Sequence, residues 1–208
     1  MKAKKPRAAD IGQRPYPSED LGRYTPALGV AEWVQEHILA SDGLIHNEEH
    51  AHLIDADLVF LWAPGGFTKA MKTVIGQAEE VMIRAGGWQK GRQEQQLCDW
   101  FGRVPAFMIT LDANYCAQCS DAEWCALVEH ELYHIAQQLD EFGAPKFSKS
   151  GLPKLKIRGH DVEEFVGVVR RYGASVEVQK LVSAASVGPE MRLGSISHAC
   201  GTCLKVAA

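Results

Sequence analysis

Residues 128–138 read VEHELYHIAQQ, and within them His130, Glu131 and His134 spell H-E-x-x-H. Two helical residues four apart lie about 40° apart around the axis and one turn along it, so both imidazoles can reach one metal ion. Neutral imidazole is a preferred zinc ligand, and a catalytic Zn2+ takes three protein ligands with water in the fourth place. Glu131 can reach that water without ligating the metal and accept its proton as general base, while the metal polarises a carbonyl. The pattern therefore predicts metal-assisted hydrolysis. A third ligand must come from downstream. His160, following Gly159, is the next histidine, and Glu163 and Glu164 compete with it, since a glutamate on a following helix is another common completion. Asp161 or Glu164 can serve as the outer partner that orients a ring N–H. For the donor that stabilises a developing oxyanion the sequence offers Tyr133, Tyr115 and Tyr172 without choosing among them.

Two further groups of ligand-type residues stand in the chain. HNEEH, from His46 to His50, fits the inverted arrangement H-x-x-E-H, and His52 extends it. It has no capping signal and no amphipathic frame, so the expectation is a solvated turn or short helix end. Six cysteines include two C-x-x-C pairs, Cys116 with Cys119 and Cys200 with Cys203. Together they suggest a second, structural zinc that ties the C-terminal tail beside the start of the H-E-x-x-H helix, with free thiols as the other reading. Cys98 and Cys125 read as packing residues.

The elements that must position these groups are legible in part. SDAEWCALVEHELYHIAQQLDEFG opens on Ser120 and Glu123, a capping box, and Gly143 is its expected stop. VPAFMITLD before it reads as a strand, which could lie beside an extended peptide by edge pairing. GVAEWVQEHILA carries an apolar helical stripe through Val30, Trp33, Val34, Ile38 and Leu39. LIDADLVFLWAP reads as a strand closed by Pro64 and two glycines. TKAMKTVIGQAEEVMIRAGG has helical spacing through Met71, Val74, Ile75, Ala78, Val81 and Met82. After a polar loop, HDVEEFVGVVRRYG predicts a helix opening at His160, and ASVEVQKLVSAAS continues it or adds another. The order predicts an α+β domain whose small β-sheet packs against a helical layer carrying the H-E-x-x-H helix.

Length and composition bound the rest. At 208 residues the chain holds one domain with appendages: a basic, Pro-rich disordered tail over 1–25, a domain over 26–187, and a Cys-containing tail over 188–208. No apolar run approaches the ~18 residues that span a bilayer, and no apolar segment follows the basic N-terminus as a secretory signal requires. The expectation is a cytoplasmic protein with no membrane partner. The net charge of −4 weighs against a dedicated nucleic-acid binder. Lys2, Lys4, Lys5, Arg7 and Arg14 leave a phosphate-binding arm as the minor reading of the tail. Oligomeric state is not legible.

VEHELYHI, a polar loop and then RGHDVEEF and VVRRYG resemble the phage metallopeptidases, a group similar to the SprT-like/Spartan zinc proteases. In SprT-like proteins a glycine–histidine pair opens a second helix with an acidic–Phe ending, a pattern that falls here on Gly159, His160, Glu164 and Phe165. The resemblance covers about residues 45 to 175. It implies a zincin-like (SprT-like) fold and a zinc-dependent endopeptidase, encoded by a phage or prophage and acting on a protein or peptide substrate in the host cytoplasm. His130, His134 and His160 would be its metal ligands and Glu131 its base. The loop before His160 is longer than the compact SprT spacing, which keeps Glu163 and Glu164 open as substitutes. Of the zinc ribbon that often follows a SprT domain, only CGTC has a counterpart. The other readings are a catalytically inactive metal-binding structural or host-interaction protein that keeps the fold, and hydrolysis of a non-peptide amide.

Overall fold

LVFLWA and FMITLD, both rich in β-branched and aromatic residues, become the inner strands of a four-stranded sheet in the computed structural model, which describes residues 13–18, 22–69, 72–162, 166–188 and 204–205. These strands, β2 (Leu58–Ala63) and β6 (Phe107–Asp112), pair in parallel with Phe60 opposite Ile109. β1 (Thr25–Pro26) joins β2 antiparallel on one side, and β5 (Gly76–Glu80) joins β6 antiparallel on the other. The order is β1-β2-β6-β5.

One face of the sheet buries Phe60, Trp62, Ile109 and Leu111. Against it lie α1 (Leu28–Val34), its π-helical continuation over Gln35–Leu39, and α4 (Asp121–Tyr133). Trp33 of α1 and Trp124 of α4 meet edge to face with ring centroids 4.7 Å apart. The Ser120 capping box forms at the start of α4, with the Glu123 amide donating to Ser120 Oγ and the Ser120 amide to Glu123 Oε2. Such a cap contributes about 1 kcal/mol. Fully burying a single large apolar side chain contributes about 1.5–3 kcal/mol. Trp124, Leu127, Val128 and Leu132 therefore hold α4 in place more strongly than its cap does.

α4 ends well short of Gly143. Its last helical residue is Tyr133, and His134 is the C-cap. The reason lies downstream: β7 (Ile135–Gln137) pairs antiparallel with β8 (Leu155–Ile157), and Arg158 takes the last carbonyls of the helix. Arg158 Nε donates to the Tyr133 carbonyl at 2.7 Å, and its amide donates to the His134 carbonyl at 2.8 Å. A cation at this end also suits the helix dipole. The expected polar loop is thus a paired ribbon, with further bridges at Leu139–Pro145 and Phe147–Pro153.

Three more expectations are corrected. The helix read over 68–86 is instead extended: β3 (Phe67–Lys69), β4 (Lys72–Val74) and β5 follow one another. Thr73, Val74 and Ile75 are β-branched and disfavour helix, and β6 offers an open edge that pairing fills. β6 is consequently an inner strand, so the edge nearest α4 belongs to β5. A helix that the apolar pattern did not reveal, α2 (Gly87–Phe101), buries only Leu97 and stops at Gly102 with φ 72°. Finally, the described part of the helix expected from His160 is α5 (Val166–Tyr172), and Val166 is exposed. α6 (Val176–Val187) follows, capped by Ser175 and burying none of its residues. β9 (Leu204–Lys205) pairs with β4. No helix among the described residues is long and apolar enough to cross a membrane.

Within the N-terminal stretch, Arg14 is buried. It donates to the carbonyls of Cys116 and Cys119 at 2.9 and 2.6 Å and pairs with Asp121 at 2.7 Å. It thereby closes the end of α3 (Ala113–Gln118), which Asp112 caps at its start.

Candidate metal centre

Because α4 ends at Tyr133, His134 sits at its C-cap, still one turn beyond His130. His160 lies on irregular chain between β8 and α5. The turn at Arg158 brings it back, and His130, His134 and His160 form a cluster whose ligand atoms all lie within 4.8 Å of one another. His130 Nε2 is 3.1 Å from His134 Nε2 and 3.1 Å from His160 Nε2. Imidazole nitrogens bound tetrahedrally to one zinc at its usual bond length lie about 3.4 Å apart, so the spacing is close to that of a ligand set.

The donor chemistry fits a cation. His134 Nδ1 lies 2.8 Å from the Arg158 carbonyl, which only accepts. Nδ1 therefore carries the proton and Nε2 presents its lone pair. A single proton on His130 Nε2 serves two contacts of this length poorly, whereas a cation between the rings serves all three. His130 is driven down to about 4 by burial and by the neighbouring His134 and His160, which keeps it neutral, the form that ligates metal.

Glu131 supports the same conclusion. It is fully buried, and neither carboxylate oxygen has a hydrogen-bond partner of good geometry among the described residues. Burial pushes it up to about 7, against a smaller opposing pull from the Ala78 amide of β5. An orphaned buried carboxylate is costly unless something polar enters to meet it. Gly76 makes room for it: a Cβ there would stand 2.6 Å from Glu131 Oε1. The donor set of three imidazoles fits a metal ion, and Glu131 follows one of its ligands directly in sequence.

The three histidines line a cleft of ≈ 290 Å³ together with Tyr133, Arg158 and Glu49. The Tyr133 hydroxyl donates to Glu49 at 2.5 Å and accepts from Asn47 at 3.0 Å. Its acidity is suppressed to about 12, chiefly by burial and then by Glu49. A larger cleft of ≈ 390 Å³ on the other face of the sheet, beside Trp100 and Leu61, contains none of the three histidines.

The remaining sequence candidates are placed as follows. Glu163, Glu164, Cys200 and Cys203 lie outside the described residues. Cys116 is buried, and Arg14 spans the Cys116–Cys119 turn with Nη1 3.7 Å from Cys119 Sγ. Burial raises the thiols of Cys116, Cys119 and Cys125. Cys125 is half-buried, whereas Cys98 is exposed rather than a buried packing residue. The HNEEH stretch is a 3₁₀ helix over Glu48–Leu53, and it is less solvated than its polarity suggests because His50 is fully buried. His46 and His52 turn instead to the carbonyls of Ile38 and Ile135. Tyr115 buries its hydroxyl away from the cleft, and Tyr172 is exposed on α5. Arg158, Gly76 and Asn47 carried no signal in the sequence; each acts through a contact between segments distant along the chain.

No curated protein and no solved structure matches the chain. A family model does, that of the family described as "Putative phage metallopeptidase", over residues 31–186. This match spans well over half of the 208 residues, and the chain belongs to that phage metallopeptidase family.

Proposed function

We propose that this protein is a zinc-dependent endopeptidase with a zincin-like, SprT-type arrangement of sheet and helices, in which His130, His134 and His160 hold the metal and Glu131 is the general base. The observation that carries the reading is the cluster of three imidazoles, with the carboxylate next to His130 in sequence buried and lacking a hydrogen-bond partner of good geometry among the described residues. Bound there, zinc would polarise the scissile carbonyl and lower the pKa of water. The chain's own residues do the rest. The Arg158 carbonyl holds the His134 ring in the tautomer that points Nε2 into the cleft. Glu131 accepts a proton from the attacking water and returns it to the departing amine nitrogen. Gly76 leaves the space in which that carboxylate sits. Family membership supports a peptide substrate and a phage or prophage origin.

An unbiased peptide-library digest with the zinc-loaded protein tests the reading. Internal cleavage that Glu131→Gln abolishes while zinc content is unchanged supports it. Cleavage at the same rate by the Glu131→Gln variant removes Glu131 from the chemistry.

A further inference from the structure

A metal that polarises the carbonyl and a base leave one role open, a hydrogen-bond donor that shares the negative charge developing on the oxygen as water adds to the carbonyl carbon. Tyrosine is the obvious candidate by residue type, and all three tyrosines considered above fail on geometry. Tyr115 buries its hydroxyl outside the cleft, Tyr172 is exposed on α5, and the Tyr133 proton is already given to Glu49. Among the described residues lining the cleft, the other side-chain donor besides the three histidines is Arg158.

Arg158 is held for such a task. Nε is fixed on the Tyr133 carbonyl at 2.7 Å and Nη1 on Asp161 Oδ1 at 2.6 Å, and the guanidinium lies 5.9 Å from the Tyr133 ring centroid. These contacts fix the plane of the fork and leave Nη2 without a hydrogen-bond partner among the described residues. Asp161 is mostly exposed, so its charge is screened by solvent and cancels little of the positive field in the cleft. Helix capping uses Nε and the backbone amide, which leaves Nη2 for a ligand.

We infer that Arg158 is a catalytic residue whose Nη2 binds the anionic oxygen of the tetrahedral adduct. The inference rests on the metallopeptidase reading of the same site. As water adds, Glu131 takes the proton and the carbonyl π pair moves onto oxygen, where Nη2–H donates to it. Collapse returns that pair to carbon and breaks the C–N bond, with the proton passing from Glu131 to nitrogen.

The test uses the full zinc-loaded chain, with Arg158→Gln and Arg158→Lys, on a peptide cleaved by wild type. Arg158→Gln lowers kcat about 10²–10³-fold with KM little changed, as for loss of one oxyanion donor, and Arg158→Lys recovers part of it. Zinc content and thermal midpoint verify that both variants remain folded and loaded. A second arm measures calorimetric binding of a phosphinic pseudopeptide, a tetrahedral anion; it weakens at least about tenfold in Arg158→Gln. Unchanged kcat, or a rise in KM confined to peptides with acidic side chains, overturns the inference, the latter making Arg158 a specificity residue. Equal phosphinate affinity overturns it even if wild type cleaves no peptide, an outcome that by itself counts against the peptidase reading.

Discussion

His134 and Arg158 exchange two bonds: the His134 ring gives its Nδ1 proton to the Arg158 carbonyl at 2.8 Å, and the Arg158 amide donates to the His134 carbonyl at 2.8 Å. One turn of chain thus ends the helix, orients an imidazole and delivers His160 to the cluster. The exchange explains how a separation of more than twenty residues between His134 and His160 closes into a single site.

Gly76 sets the position of Glu131. Its substitution by alanine puts a methyl group 2.6 Å from Glu131 Oε1 and 3.0 Å from Leu127 Cδ1, so the carboxylate end of Glu131 must shift. Gly76→Ala is expected to lower kcat about 10²-fold through misplacement of the base and to cost about 1–3 kcal/mol of stability, with zinc retained. Steady-state kinetics beside a denaturant titration checks it. A variant as fast as wild type would show that Glu131 is not confined by β5.

Arg14 joins the N-terminal stretch to α3 and α4. Arg14→Ala leaves the Cys116 and Cys119 carbonyls and the half-exposed Asp121 without their donor, and it is expected to cost about 2–3 kcal/mol. Chemical denaturation measures this, and zinc content should not move. A loss below about 0.5 kcal/mol, typical of a surface substitution, would mean that solvent replaces the clamp.

His50 gives the fold an acid-sensitive point. Burial, and then His52, lower it from 6.5 to about 4, against a raising effect of Glu49 and with a smaller lowering by Arg158. Between these values the unfolded chain binds a proton that the native state refuses, so stability falls as pH drops from about 6.5 to 4, by up to about 3 kcal/mol. Glu129, 3.8 Å from His50 Nε2 and raised by its own burial, contributes with the opposite sign. The comparison of wild type with His50→Gln isolates the histidine: the variant's stability should decline less on acidification. Parallel curves for the two proteins would place the His50 proton elsewhere.

The sequence was most informative where chemistry or capping is local. H-E-x-x-H, the glycine–histidine step and the Ser120–Glu123 box are short patterns, and the two inner strands declare themselves by β-branched and aromatic content. The misreadings arise where distant segments decide. Residues 68–86 have helical spacing, but the open edge of β6 draws Gly76–Glu80 into the sheet. α2 has no apolar stripe to read, because only Leu97 is buried. The H-E-x-x-H helix is cut short by Arg158, some 25 residues beyond Tyr133, through bonds that no local pattern encodes.

On the proposed reading, His130, His134 and His160 together hold one zinc. The most direct measurement is the zinc content per chain, by elemental analysis, of purified wild type, His130→Ala and His160→Ala. Each variant is expected to carry one zinc fewer than wild type while remaining folded by circular dichroism. A folded His160→Ala protein with the full wild-type zinc content would contradict the account, and it would pass the third ligand to Glu163 or Glu164.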